Sequence, residues 1–144
     1  MSVRAPVTSQ SDEWETPQWL FDALNAEFGF TLDGAATEQN RKCIAFNSYN
    51  ESKGRIPAIE SWGGHRVFIN PPYSNIAEWV GAATTRYELC VMLLPVRTDS
   101  VWFRHLIESH AVTIRFFRKR IAFVADGVAM KSPPFASMVV IVNG

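Results

Sequence analysis

Val67-Phe68-Ile69-Asn70-Pro71-Pro72-Tyr73-Ser74-Asn75-Ile76 runs from an apolar triplet through two prolines into the start of a helical pattern. A short β-branched and aromatic run of this kind reads as a buried strand. Paired prolines remove two N–H donors, so they end the ladder and stiffen the loop that follows. In an open α/β sheet, ligands bind beyond the carboxyl ends of the strands. Asn70 to Tyr73 therefore place an amide, two proline carbonyls and an aromatic ring at the edge where a site is expected.

Outward from this stretch the pattern alternates strand and helix. Upstream, Thr16-Pro17 predicts a helix start, with Thr16 as the cap and Pro17 at the first helical position. Leu20, Phe21, Leu24 and Phe28 recur at helical spacing, and Gly29 marks the end. Phe30-Thr31-Leu32 reads as a short strand that delivers Asp33-Gly34-Ala35-Ala36 as a tight turn. From Thr37 to Gly64 the pattern weakens into loop, with one short strand around Ile44 to Phe46. Downstream, Ile76, Val80, Ala83 and Tyr87 predict a second helix capped by Ser74 or Asn75. A strand from Leu89 to Leu94 follows, then a third helix capped by Asp99 or Ser100 with Trp102, Phe103, Leu106 and Ile107 on its apolar face. Val112 to Phe117, Ile121 to Val124 and Met138 to Val142 supply later strands. The fold class is α/β: a mostly parallel sheet with an antiparallel C-terminal piece.

The chemistry that needs the Asn70 to Tyr73 set is methylation of an exocyclic amino group. The amino nitrogen of adenine or cytosine is a poor nucleophile because its lone pair is delocalised into the ring, and no ordinary side-chain base can deprotonate it. Acceptors arranged for a tetrahedral nitrogen solve this, and the Asn70 side-chain oxygen and the Pro71 carbonyl are such acceptors. Catalysis is then mostly positioning. Tyr73 can stack on a base that has left the duplex. The plainer alternative is a strand-ending turn with a packed tyrosine. A methyl donor needs a second site, and Asp33-Gly34-Ala35-Ala36 is the candidate: small residues allow close backbone approach, and the acid can hold a cation or a hydroxyl. The glycine-rich dinucleotide fingerprint is absent, which argues against NAD.

The 144 residues predict one domain from residue 13 to 144, with residues 1–12 as a flexible lead-in. No apolar stretch approaches a membrane span, and no signal-peptide core precedes the domain. Cys43 and Cys90 lack metal-ligand spacing, so no metal is expected and a reduced, cytoplasmic setting fits. Net charge is zero, but Arg115, Arg118, Lys119 and Arg120 crowd into six residues with no acid among them. That cluster suits phosphate, and equally a solvated face. His65, His105 and His110 have no nucleophile elbow to serve and no metal-ligand spacing.

Seven blocks, taken in order, resemble the phage-type DNA N6-adenine methyltransferases, the small Dam-like enzymes of phages and prophages. They begin with Glu13-Trp14-Glu15-Thr16-Pro17 plus Trp19-Leu20-Phe21, then Leu32-Asp33-Gly34-Ala35-Ala36-Thr37 with Asn40 and Cys43. Asn70-Pro71-Pro72-Tyr73 and Leu94-Pro95-Val96-Arg97-Thr98-Asp99 follow. Arg115-Phe116, Arg120-Ile121-Ala122-Phe123 and Pro134-Phe135-Ala136-Ser137 complete the series. The resemblance implies a Rossmann-like methyltransferase fold, S-adenosylmethionine as cofactor and adenine in double-stranded DNA as substrate. It implies that Trp14, Thr16 and Pro17 line the cofactor site, with Asp33, Gly34, Ala35 and Ala36 as its floor. Asn70, Pro71, Pro72 and Tyr73 would hold the target amine. Phe123 would be a second stacking surface, and Arg118, Lys119 and Arg120 would meet DNA. A GATC target follows by analogy only.

The chain departs from the family pattern in three places. Gly34 stands where proline is usual, and Lys119 where glycine is common. Lys53-Gly54-Arg55-Ile56-Pro57 replaces an acid–glycine pair before Trp62, which leaves Glu51 or Glu60 as candidates for a second ribose-contacting carboxylate. An RNA adenine substrate, a protein amide substrate and a non-catalytic DNA-binding module are the competing readings. The intact Asn70 to Tyr73 set argues against the last.

Overall fold

The protein is described from a computed structural model covering residues 14–48, 62–85, 89–108, 112–125, 127–130 and 135–143. The expected lead-in, Tyr87, His110, Glu51, Glu60 and the departure from Lys53 to Pro57 lie outside the described residues. The strands are β1 (Leu32–Ala36), β2 (Phe46–Ser48), β3 (Val67–Ile69), β4 (Cys90–Pro95), β5 (Val112–Phe116), β6 (Val124–Ala125), β7 (Val128–Ala129) and β8 (Ser137–Val142). The helices are α1 (Gln18–Phe28), α2 (Ile76–Thr85) and α3 (Val101–Glu108). Six strands form one sheet in the order β2-β1-β3-β4-β8-β5, and β6 and β7 form a separate hairpin. β2, β1, β3 and β4 are mutually parallel, while β8 runs antiparallel between β4 and β5. This is the expected Rossmann-like α/β arrangement with an antiparallel C-terminal piece.

The central strands are apolar throughout because both faces of the sheet are covered, and side chains alternate between the faces. Leu32, Val67, Ile69, Cys90, Met92, Leu94, Met138 and Val140 pack on one side with α2 and α3 residues such as Trp79, Val80, Phe103 and Leu106. Phe68, Val91, Leu93, Val139 and Ile141 pack on the other side with Leu20, Phe21 and Leu24 of α1. Gly29 ends α1 in the left-handed region at φ 64, its N–H donating to the Asn25 carbonyl at 2.8 Å. The Asn25 side chain then accepts from the Phe30 N–H at 2.8 Å. Ser100 caps α3 by accepting from the Phe103 N–H at 3.2 Å.

Several boundaries differ from the sequence expectation. Asp33-Gly34-Ala35-Ala36 is not a turn after a strand; it is most of β1 itself. Pairing on both sides decides this: Asp33 sits opposite Phe46 of β2 and Phe68 of β3, and tertiary ladder bonds override low strand propensity. β2 falls at Phe46–Ser48, later than the expected Ile44 to Phe46. Pro17 is the cap position of α1 and makes no side-chain cap bond, while Thr16 is buried ahead of it. A short 3-10 turn, Tyr73–Asn75, leads into α2. Ile121 to Phe123 pass as irregular chain, and only Val124–Ala125 form a strand there.

Gly34 has a packing reason. A Cβ at this position would lie 2.8 Å from Ile69 Cγ1 and 3.0 Å from Val67 Cγ1. Gly34→Ala is therefore expected to destabilise the fold by about 1–3 kcal/mol through overpacking, read as a drop in urea midpoint. An unchanged midpoint would refute the packing role.

Candidate active site

β1 leads to β2 on one side of the sheet, while β3 lies on its other side, so the chain reverses its direction of travel between β1 and β3. Open α/β sheets bind ligands at such a switch point, beyond the carboxyl ends of the strands. A crevice opens there. Asp33, Ala35, Ala36 and Thr37 form one wall and Phe68, Asn70 and Pro72 another; Trp14, Glu15 and Thr16 close the third, with Asn40 and Lys42 at the rim. The space between these walls, counted together with the open solvent it merges into, is about 460 Å³. Two features separated by 37 positions in the chain, the Asp33 strand and the Asn70 loop, thus face one cavity. Gly34 packs beneath β3 and Pro17 starts α1, and neither lines it.

Asp33 is buried, yet among the described residues its carboxylate accepts only backbone N–H groups. Oδ2 accepts from Lys42 N at 3.0 Å and Oδ1 from Ala35 N at 3.3 Å. Burial pushes its pKa up to about 6. The two backbone donors and the Lys42 charge act in the opposite direction and only partly offset it. A carboxylate held this far out of water is stabilised by a cation or by hydroxyl donors brought in with a ligand. The loop after β1 is closed reciprocally: Thr37 N–H donates to Asn40 Oδ1 at 2.8 Å, and Asn40 N–H to Thr37 Oγ1 at 3.2 Å. That holds the mouth of the crevice in shape.

The third wall is a strap, residues 14–16, laid across the sheet edge. Glu15 pairs with Val124 of the β6–β7 hairpin through two backbone bonds of 2.8 and 2.9 Å. Lys42 Nζ donates to Glu15 Oε2 and to Gln18 Oε1, each at 3.0 Å. The sequence reading passed over Glu15 as a site residue and Lys42 altogether. Glu15 and Lys42 are 27 positions apart, and no local pattern announces the pair.

Asn70 is joined to the same strap. Its Nδ2 donates to the Trp14 carbonyl at 2.8 Å. Because the amide nitrogen is committed there, Oδ1 is left as an acceptor for a ligand. Next to it stand four aromatic rings. Trp14 stacks on Phe135 with centroids 5.1 Å apart and planes 14° off parallel. Tyr73 meets both edge-on, at 6.0 and 5.3 Å, and Phe123 completes the group at 5.7 Å from Trp14. The Tyr73 hydroxyl and the Trp14 indole N–H are buried without a hydrogen-bond partner. Burial pushes the tyrosine pKa up, and the nearby Arg97 cation works against that rise. Phe123 is fully buried within this cluster, so stacking a base on it requires the cluster to open. Phe135, which carries no role in the sequence pattern, is a central member.

β5 runs parallel to β4, so its end brings Arg118, Lys119 and Arg120 to the same sheet edge, and all three are exposed. Arg115 does not belong with them. It makes a two-pronged ion pair with Glu27 of α1, at 2.7 and 2.6 Å, and lies over the Phe28 ring. The expectation of cations without a nearby acid is corrected at Arg115, whose acid comes from 88 positions away. The paired Arg115 lowers the Glu27 pKa, chiefly through these hydrogen bonds. Among the described residues, no helix is long and apolar enough to cross a membrane.

Comparison with known proteins identifies the family. The family model described as DNA N-6-adenine-methyltransferase (Dam) matches residues 5–143. A DNA N-6-adenine-methyltransferase of Haemophilus phage HP1 is 30% identical over 122 residues, covering 81% of this chain and 68% of that protein. One of Escherichia phage T1 is 31% identical over 109 residues, covering 72% of this chain and 44% of its own length. The chain thus spans less than half of the T1 relative. With nearly its whole length matched by the family model, the chain belongs to the DNA N-6-adenine-methyltransferase (Dam) family.

Proposed function

We propose that this family member methylates the N6 amino group of adenine in double-stranded DNA, with S-adenosylmethionine bound in the crevice between β1 and β3. The observation that carries the reading is that Asp33 and Asn70 line one cavity. The residues fit the donor. Asp33 and Glu15 against Lys42 leave the crevice walls with a surplus of negative charge, suited to a cationic ligand, and Asp33 has an unmet need for a polar partner. When bound, the donor supplies an electrophilic methyl group and departs as a neutral thioether.

The chain's own groups do the rest by positioning. Asn70 Oδ1 and the Pro71 carbonyl accept the two N6 hydrogens, which favours a tetrahedral nitrogen whose lone pair is localised instead of delocalised into the ring. The same two oxygens stabilise the positive charge that develops on nitrogen as the N–C bond forms. One N6 proton then passes to solvent. Pro72 keeps the loop rigid, so the acceptors are in place before the base arrives. Tyr73 offers a half-buried ring for an adenine that has left the stack. Trp14 and Thr16 wall the donor in, with Asp33, Ala35 and Ala36 beneath.

Arg118, Lys119 and Arg120 supply phosphate contacts along the same edge. Replacing Arg118 and Arg120 together by glutamine should reduce the slope of log affinity against log salt by about 2, near 0.9 per lost phosphate contact. An unchanged slope would return the cluster to a solvated face. The phage relatives support a phage or prophage gene acting in the bacterial cytoplasm.

The reaction is tested by incubating the protein with labelled S-adenosylmethionine and unmethylated duplex DNA, then identifying nucleosides by mass spectrometry. N6-methyl-2′-deoxyadenosine is the expected product. With an RNA duplex assayed in parallel, label appearing only in the RNA would overturn the DNA assignment, and no transfer despite donor binding would overturn the enzymatic one.

A further inference from the structure

Lys42 stands where three parts of the site meet. Its backbone N–H donates to Asp33 Oδ2 at 3.0 Å, and its ammonium donates to Glu15 of the strap and to Gln18 at the start of α1, both at 3.0 Å. The side chain is 6% exposed, and that of Glu15 31%. A lysine this buried is retained only with close partners, because removing an ammonium from water is costly. The ion pair is therefore unlike an exposed surface pair, which contributes little. It fixes the position of residue 15, and residue 14 moves with it.

We propose that Lys42 and Glu15 form a charged latch that positions Asn70 for catalysis, by fastening the strap whose Trp14 carbonyl holds the Asn70 amide. Neither residue needs to touch the target base. The Trp14 carbonyl accepts from Asn70 Nδ2 at 2.8 Å, and that bond selects which end of the amide faces the crevice. With the strap loosened, the amide is free to rotate about its last side-chain bond and present a donor where an acceptor is required. The strap is also held by the two backbone bonds between Glu15 and Val124 and by the packing of the Trp14 ring on Phe135, Tyr73 and Phe123. Those bonds hold residue 15 to the hairpin; the latch holds it to the sheet. The latch belongs to the ligand-free chain, while its effect on rate rests on the role given above to Asn70.

The test uses two readouts on the full chain. Lys42→Gln and, as a second route to the same loss, Glu15→Gln should each quicken hydrogen exchange at the Glu15 and Val124 amides by about tenfold or more, as one lost fastening implies. Each should also slow single-turnover methyl transfer at saturating donor and DNA by roughly tenfold, as expected for a misplaced catalytic group. The reversed pair, Glu15→Lys with Lys42→Glu, should recover exchange protection and rate together. Unchanged exchange in both single variants would overturn the latch. Quickened exchange with an unchanged single-turnover rate would overturn its link to Asn70, as would a loss confined to donor affinity. If the wild-type chain transfers no methyl to DNA, the functional reading fails by itself, and the exchange data alone decide whether the latch exists.

Discussion

Asn70→Ala is expected to slow single-turnover methyl transfer by about a thousandfold, the upper range for losing one pre-positioned polar group. Donor affinity should change by less than about threefold, because only one wall of the crevice is altered. The argument is geometric. Asn70 Nδ2 is spent on the Trp14 carbonyl at 2.8 Å, so the residue's contribution to chemistry is its oxygen. Alanine removes that acceptor and also leaves the Trp14 carbonyl unpaired. Asn70→Asp separates the two effects: it keeps an acceptor but sets a carboxylate against a carbonyl. Activity in the aspartate variant above that of alanine is expected, with both below wild type. A wild-type rate in Asn70→Ala, measured by rapid quench, would mean that the amine is held elsewhere.

The second large effect is at Asp33. Asp33→Asn should weaken donor binding by about a hundredfold at pH 8, where the wild-type carboxylate is ionised and charge-assisted bonds are the stronger kind. The pH dependence has a definite sign. Burial pushes the Asp33 carboxyl up to about 6 in the ligand-free fold, so it binds protons more tightly than an unfolded aspartate does. A cationic donor favours the ionised form, and binding must displace that proton at low pH. Affinity is therefore expected to be level above pH 7 and to fall by about tenfold per pH unit below 6, a dependence that Asp33→Asn abolishes. Stability carries the opposite sign. The proton bound by Asp33 stabilises the fold fully below about pH 4, and that contribution is lost as pH rises through 6. Calorimetry across pH 5 to 8 checks the binding claim. Equal affinities for the two proteins at pH 8 would remove Asp33 from the cofactor site.

The parts of this architecture that were legible in the sequence are those with a local physical cause. Val67-Phe68-Ile69 is short, branched and aromatic, and two prolines stop it, so both the strand and its end could be placed. Leu20, Phe21 and Leu24 share one helix face, and Gly29 takes the left-handed φ of 64 that ends α1. What escaped depends on partners distant in the chain. Asp33 to Ala36 have the composition of a turn, yet pairing with β2 and β3 makes them a strand. Arg115 reads as part of a basic cluster without a nearby acid until Glu27 is brought beside it by α1. Lys42 carries no local signal, and only folding puts its ammonium on the strap. Thr16 has the chemistry of a cap, but burial against the crevice takes precedence and leaves Pro17 in the cap position. The site was visible as two motifs; the wall that joins them was not.

The measurement closest to the central claim is a crystal structure of the full chain soaked with S-adenosylhomocysteine, the product left after methyl loss. The account predicts density between β1 and β3, with a polar group of the ligand against Asp33 and the sulfur turned toward Asn70. Density anywhere else, with the β1–β3 crevice filled only by water, would contradict it.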